Sequence, residues 1–221
     1  MSETLRITVL ISGSGSNLQA LIDACGAGKI PARIIHVISN VAAARGLQRA
    51  RQAGISTSVL EHGAFADRAD FDRALALLIA AGRPQLVVLA GFLRIIGPAV
   101  LEPFHGRIIN LHPSLLPLYR GTDTYQRALA AGDRQHGASI HFVTAELDGG
   151  PVISQVVIPV LAGDDAASLA ARLGPMEHRL VVATVELFAT RRVECADGDV
   201  LFDGGPLERP LRLQADDRLA A

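Results

Sequence analysis

The sequence predicts an α/β protein built on a mostly parallel, twisted sheet with helices on both faces and antiparallel additions in its C-terminal part. Three observations carry this. Short continuous apolar runs rich in β-branched residues, such as Leu5 to Ser12 and Leu86 to Ala90, read as strands covered on both faces. Amphipathic stretches separate such runs, the clearest at Asp67 to Ala81, where Phe71, Ala74, Leu75, Leu78 and Ile79 form one stripe before Gly82. Strand and helix therefore alternate, which is the pattern of parallel crossover units rather than of hairpins.

Taken in order, the Leu5–Ser12 strand runs into Gly13-Ser14-Gly15-Ser16-Asn17 and then a helix with Leu18, Leu21, Ile22 and Cys25 on one face. Strand, glycine loop and helix present free backbone N–H groups and a positive dipole end to an anion. Gly15, Ser16 and Asn17 are thus candidate phosphate ligands, against the simpler reading of a tight turn. A dinucleotide fingerprint would need a third glycine at Leu18 and an acidic residue near the end of the next strand. That strand, Ala32 to Ser39, ends in Ser39-Asn40, and no Gly-Lys-Ser/Thr follows the loop, so a single phosphomonoester fits better than NAD or ATP.

A helix over Ala44 to Ala53 places Arg45, Arg49 and Arg51 on a solvated face, and Ser56 to Leu60 reads as a short strand. After the Leu86–Ala90 strand, Gly91 to Pro98 sits where a doubly wound sheet lines its ligand crevice. Ile108 to Leu111 is the next strand and leads into Asn110-Leu111-His112-Pro113. Residues two apart on a strand share a face, so Asn110 and His112 point into one space. An amide and an imidazole there can hydrogen-bond a developing oxyanion and carry a proton. Asp148, in a Leu-Asp-Gly-Gly turn, is a candidate carboxylate partner for His112, with an ordinary turn aspartate as the alternative.

Pro113 to Gly121 is a constrained loop, Tyr125 to Ala131 a short helix, and Gly137 to Val143 and Pro151 to Pro159 two further strands. Asp164 or Asp165 caps a long helix reaching about Thr190, with a kink expected at Gly174-Pro175. The tail reads as a hairpin around Ala196-Asp197-Gly198-Asp199.

Bulk composition excludes several classes. With 49% hydrophobic and 19% charged residues the chain is not disordered, and a net charge of −1 supplies no basic field for nucleic acid or membrane. Two cysteines, Cys25 and Cys195, make no disulfide framework, and no apolar run is long enough to span a bilayer, so a cytoplasmic protein is expected. None of the seven histidines has a short paired metal spacing, and a site built from His112, His141 and Asp148 is a minor alternative to the expectation of no metal. His36 and His141, inside apolar runs, read as hydrogen-bonded core residues. Ser114 lacks a Gly-x-Ser-x-Gly elbow, which favours noncovalent acyl-group chemistry.

The Asn110-Leu-His-Pro-Ser-Leu-Leu-Pro117 motif, followed by His141-Phe-Val and Leu147-Asp-Gly-Gly-Pro151, resembles the folate-dependent formyltransferases. The likeness covers nearly the whole chain, including Ile11 to Ala20, Ala50 to Ile55 and Val87 to Phe92 with Arg94-Ile95. It implies a Rossmann-like formyltransferase fold and passage of a formyl group from 10-formyltetrahydrofolate to the amine of glycinamide ribonucleotide, without metal and without a covalent intermediate. Carried over residue by residue, Gly15, Ser16 and Asn17 would hold the phosphate and Glu177 the ribonucleotide. Arg68, Leu93, Arg94, Ile95, Ile96 and Asn110 would meet the folate, with backbone of the Glu146–Asp148 loop beside them. Asn110 and His112 would stabilise the tetrahedral intermediate, and Asp148 would raise the pKa of His112.

One loop departs from the family pattern. Leu-Leu-Pro-Lys-Tyr-Pro-Gly followed by Thr-His is usual, whereas Leu115 to Gly121 reads Leu-Leu-Pro-Leu-Tyr-Arg-Gly and Tyr125 follows Thr124. Acceptor contacts in this loop therefore stay open, and so do a relative acting on another amine, a formyltetrahydrofolate hydrolase and a noncatalytic phosphate- or folate-binding module. One domain is expected, with residues 1–100 as a phosphate-binding half, 101–195 as a catalytic and folate-binding half, and 196–221 as a hairpin and tail. The partners are small-molecule substrates, and the oligomeric state is left open.

Overall fold

The computed structural model describes residues 4–221. Five parallel strands come first in the chain: β1 (Leu5–Ile11), β2 (Ala32–Ser39), β3 (Thr57–Val59), β4 (Leu86–Leu89) and β5 (Ile108–His112). Helices α1 (Ser16–Gly26), α2 (Arg45–Gln52), α3 (Arg68–Ala81) and the single turn α4 (Pro98–Leu101) connect them. Then come α5 (Thr124–Ala130), β6 (Gln135–Phe142), β7 (Val152–Pro159) and α6 (Ala166–Ala189). The tail contributes β8 (Val193–Ala196), β9 (Asp199–Phe202), β10 (Gly205–Pro206), β11 (Leu211–Leu213) and β12 (Leu219–Ala220).

The main sheet has the order β12-β11-β7-β6-β5-β4-β1-β2-β3, and β10-β9-β8 form a separate small antiparallel sheet. From β3 to β5 all pairings are parallel, whereas β6 runs antiparallel to both β5 and β7. The tail returns to the main sheet, since β11 pairs in parallel with β7.

Alternation along each strand sorts the core into two layers, as period-2 side-chain geometry requires. Ile7, Val9 and Ile11 of β1 and Leu86 and Val88 of β4 join Leu18, Leu47, Leu169 and Leu173 of α1, α2 and α6 in one cluster. Leu10, Val87, Leu89 and Ile108 point the other way, onto Phe71, Leu75 and Ile79 of α3 and Val100 of α4. Helices thus cover both faces, and the fully buried strands explain why their sequences are continuous apolar runs. β6 follows the same logic: every residue but Gln135 is buried.

Helix ends follow local chemistry. Asp67 caps α3 by accepting from the Asp70 N–H at 2.8 Å. Asp165 and Ser168 form a reciprocal capping box at the start of α6. Pro175 lies inside α6, which runs on as one 24-residue helix; the proline has no N–H to donate to the carbonyl of Ala171, an exposed residue. Sequential connections place β2 on one side of β1 and β4 on the other, so the order in which strands are added reverses between β1 and β4. In such sheets the ligand crevice lies beyond the carboxyl ends of the strands at that point.

Candidate active site

A cavity of roughly 770 Å³ opens at the carboxyl ends of β4 and β5. Its floor is polar. Asn110 and His112 project from β5 on one face, as strand periodicity demands, and Asp148 reaches them from the turn after β6. One carboxylate oxygen, Oδ2, lies 3.4 Å from His112 Nδ1 and accepts from the Gly121 N–H at 2.9 Å. The other, Oδ1, lies 3.4 Å from Asn110 Nδ2 and 3.6 Å from His141 Nε2.

His141 was expected in the core, and its burial at 2% exposure agrees, yet it belongs to this cluster. In the antiparallel register β6 sets it directly opposite Asn110, whose Nδ2 is 3.2 Å from His141 Nε2. Carbonyl oxygens only accept, so each imidazole carries a proton on the nitrogen that faces one. His141 Nδ1 donates to the Phe142 carbonyl at 2.9 Å, leaving its Nε2 to accept from Asn110. His112 Nε2 donates to the Tyr119 carbonyl at 2.9 Å, so the lone pair of the neutral ring is on Nδ1, facing Asp148.

Asp148 does push the His112 pKa up, as expected, but it does not win. Burial pulls it down more strongly, and the net result lies below the ordinary histidine value despite the Tyr119 carbonyl and the Asp148 charge. For Asp148 the balance is reversed. Burial raises its pKa, and the Gly121 N–H, with the hydrogen bond and charge that His141 supplies when protonated and the charge of protonated His112, brings it below the usual carboxylate value. The floor at rest is therefore a neutral imidazole beside an ionised carboxylate.

Backbone conformation builds this floor. Tyr119 (φ 54°), Gly121 (φ 80°), Asp123 (φ 60°) and Asp148 (φ 47°) are all left-handed, a cluster of unusual backbone of the kind found at functional sites. Packing requires the glycines after Asp148: a Cβ on Gly150 would collide with the Phe142 carbonyl, and one on Gly149 with the Glu146 side chain.

The cavity walls differ in character. Leu93, Arg94, Ile95, Ile96, Val143 and Leu147 make a largely apolar wall, with Leu93 80% and Ile95 52% exposed towards it or solvent. Arg68 does not line the cavity. It supports the wall from behind, donating to the Ile95 carbonyl at 3.2 Å and pairing with buried Asp72 at 3.6 Å.

At the opposite side Asn17 Nδ2 donates to Glu177 Oε2 at 3.3 Å, and both residues line the cavity with Tyr125. Burial pushes the Glu177 pKa up, against hydrogen bonds from Asn17 and Tyr125. Gly15 and Ser16 stand at the amino end of α1 just before Asn17, outside the cavity lining. Gly15 (φ +69°) is required by packing, because a Cβ there would sit 2.6 Å from Gly46 Cα. Arg49, expected on a solvated face, instead ties down this loop: its Nε donates to the Ser14 carbonyl at 2.9 Å and its Nη1 to Gln19 at 3.1 Å.

Of the expected residues, Asn17, Leu93 to Ile96, Asn110, His112, Asp148 and Glu177 line this cavity, whereas Gly15, Ser16 and Arg68 do not; His141, Gly121 and Tyr125 line it as well. The sequence offered His141 only as a core histidine or, with His112 and Asp148, as a minor metal alternative.

The protein is a doubly wound α/β fold with an Asn–His–Asp cluster at the carboxyl rim of its sheet, and comparison identifies the family. Residues 5–185 match the formyl transferase family, and the chain belongs to it. It is 49% identical over 200 residues to the phosphoribosylglycinamide formyltransferase of Escherichia coli K12, covering 90% of this chain and 94% of that one. Identity to the Haemophilus influenzae phosphoribosylglycinamide formyltransferase is 41% over 204 residues, covering 92% and 96%. The solved phosphoribosylglycinamide formyltransferase of Coxiella burnetii superposes with a TM-score of 0.89 at 45% identity, covering 93% of this chain and 96% of that one.

Proposed function

We propose that this enzyme transfers the formyl group of 10-formyltetrahydrofolate to the amine of glycinamide ribonucleotide, a step of purine biosynthesis. The observation that carries the reading is the Asn110–His141–Asp148–His112 cluster at the floor of a cavity with one apolar and one polar side. The apolar wall of Leu93 to Ile96, supported by Arg68, suits a planar pterin. The polar side, from Gly15, Ser16 and Asn17 to Glu177, suits a ribose phosphate approaching the α1 amino end. On this reading one domain does the work, residues 1–100 and 101–195 contributing the phosphate end and the chemical centre, 196–221 the hairpin and tail, in the cytoplasm.

The chemistry follows from the protonation states. The substrate amine attacks the formyl carbon, and the carbonyl oxygen gains negative charge. Asn110 Nδ2 can turn a hydrogen to that oxygen by releasing its 3.4 Å contact with Asp148, the longer of its two. The attacking amine sheds a proton, which His112 Nδ1 accepts because burial keeps that ring neutral. Asp148 then faces an imidazolium at close range and stabilises it. Return of the proton to the folate nitrogen lets the carbon–nitrogen bond break. The products are formylglycinamide ribonucleotide and tetrahydrofolate, with no covalent enzyme intermediate.

The test is a spectroscopic formyl-transfer assay with 10-formyltetrahydrofolate, with and without glycinamide ribonucleotide, beside the His112→Ala protein. Turnover that requires the ribonucleotide and collapses in the variant is the expected result. Folate turnover without an acceptor would make the protein a hydrolase, and no turnover would refute the reading.

A further inference from the structure

The strap between β5 and α5 touches both reacting side chains through its backbone. The Tyr119 carbonyl accepts from His112 Nε2 at 2.9 Å, and the Gly121 N–H donates to Asp148 Oδ2 at 2.9 Å. Both residues are left-handed, so the strap does not owe its path to ordinary extended or helical preference. Something else must hold it, and the side chains on its far side supply this. Tyr119 Oη donates to Asp133 Oδ2 at 2.7 Å, in the turn between α5 and β6. The Arg127 guanidinium lies 5.3 Å from the Tyr119 ring centre and donates to the Arg120 carbonyl at 2.6 Å and the Thr122 carbonyl at 3.3 Å.

We propose that Tyr119, with Asp133 and Arg127 as its anchors, is a positioning residue that fixes the tautomer and placement of His112. The inference rests on the assignment of His112 and Asp148 to proton transfer. Without a carbonyl at Nε2 the neutral ring could carry its proton on Nδ1, where the nearby Asp148 carboxylate would attract it. The ring would then present a hydrogen where the reaction needs a lone pair. Asp133 acts at a distance: it touches neither histidine nor carboxylate of the cluster in any hydrogen bond, and it sets where the tyrosine backbone stands.

The carbonyl bond also favours the charged ring, so loosening it lowers the His112 pKa. The charged and titrating groups facing His112 are Asp148 from the turn after β6, His141 and His136 from β6, and Arg127 from α5. None is altered by Tyr119→Phe, which removes one hydroxyl and keeps the ring under Arg127.

The experiment compares wild type with Tyr119→Phe, Asp133→Ala and the double variant. The expected result is a kcat about three- to tenfold lower, the cost of one hydrogen bond, with the KM of both substrates within twofold. The acid limb of the kcat profile should move to lower pH, and the double variant should lose no more than either single one. Nitrogen-15 spectra of the substrate-free proteins, with the His112 signals identified by His112→Asn, should show the Nε2–H form depleted in each variant. A His112 tautomer and titration unchanged from wild type would overturn the proposal, as would a KM increase with an unshifted pH profile. The spectra need no turnover. If wild type transfers no formyl group the proposed reaction fails, and the tautomer measurement still decides the anchor.

Discussion

Replacing Asp148 by asparagine removes one negative charge from the centre of the cluster and the long Oδ1 contact with Asn110, with little change of shape. The side chain is about one-tenth exposed, and the amide has the shape of the carboxylate, so no cavity opens. An amide oxygen in place of Oδ2 still accepts from the Gly121 N–H at 2.9 Å, whereas an amide nitrogen in place of Oδ1 no longer accepts from Asn110 Nδ2, a 3.4 Å contact. The larger loss is the charge 3.4 Å from His112 Nδ1. Two consequences follow. The His112 pKa, already depressed by burial, falls further because a stabilising charge is gone. The imidazolium formed during proton transfer also loses its partner. General acid–base catalysis by a positioned group contributes about 10²- to 10⁴-fold, or roughly 3–5 kcal/mol of barrier. Asp148→Asn should therefore lower kcat by about 10²-fold or more within that range, leave both KM values within a few-fold, and shift the acid limb downward in pH. Initial rates across pH 5 to 9 measure this, with thermal unfolding as the control for folding. A variant that keeps more than a tenth of wild-type kcat, or whose acid limb moves upward, would refute the reasoning.

Other outcomes follow from the same geometry. His141→Ala should lower kcat and stability together, because it leaves the Asn110 amide without one of its two contacts in a buried site; about 1–3 kcal/mol of unfolding free energy is expected from denaturant titration. Gly15→Ala forces a Cβ against Gly46 Cα at a left-handed position and should raise the ribonucleotide KM more than it lowers kcat, with a lower Tm. Asp165→Ala removes the α6 cap far from the cavity and should cost about 1 kcal/mol in urea unfolding without changing turnover. Stability should also fall as pH drops below about 6.5: burial lowers the pKa of His36, His112, His136 and His178, so the unfolded chain binds more protons there. Asp72 and Glu177, raised by burial, work in the opposite sense at lower pH, so a Tm that rises from pH 7 to 6 would contradict the histidine assignment.

The sequence by itself determined the elements and much of the cluster's raw material. Short β-branched apolar runs favour strands because a sheet covered on both faces buries every residue of such a run, and the Asp67 and Asp165 caps are local hydrogen bonds within a few residues. Asn110 and His112 share a face by strand period alone, and the Gly13–Asn17 loop follows from its place between a strand and a helix. Tertiary structure decided what depends on distant segments. That Asp148 meets His112 requires β6 to lie beside β5, and the antiparallel register of that pair turns His141 from a core residue into the partner of Asn110. Arg49 reaches the Ser14 carbonyl only because α2 packs against the α1 loop through Gly15 and Gly46. The His112 pKa was decided there too. A neighbouring carboxylate is visible in a sequence motif, but the low-dielectric surroundings that outweigh it come from the whole fold closing over the ring.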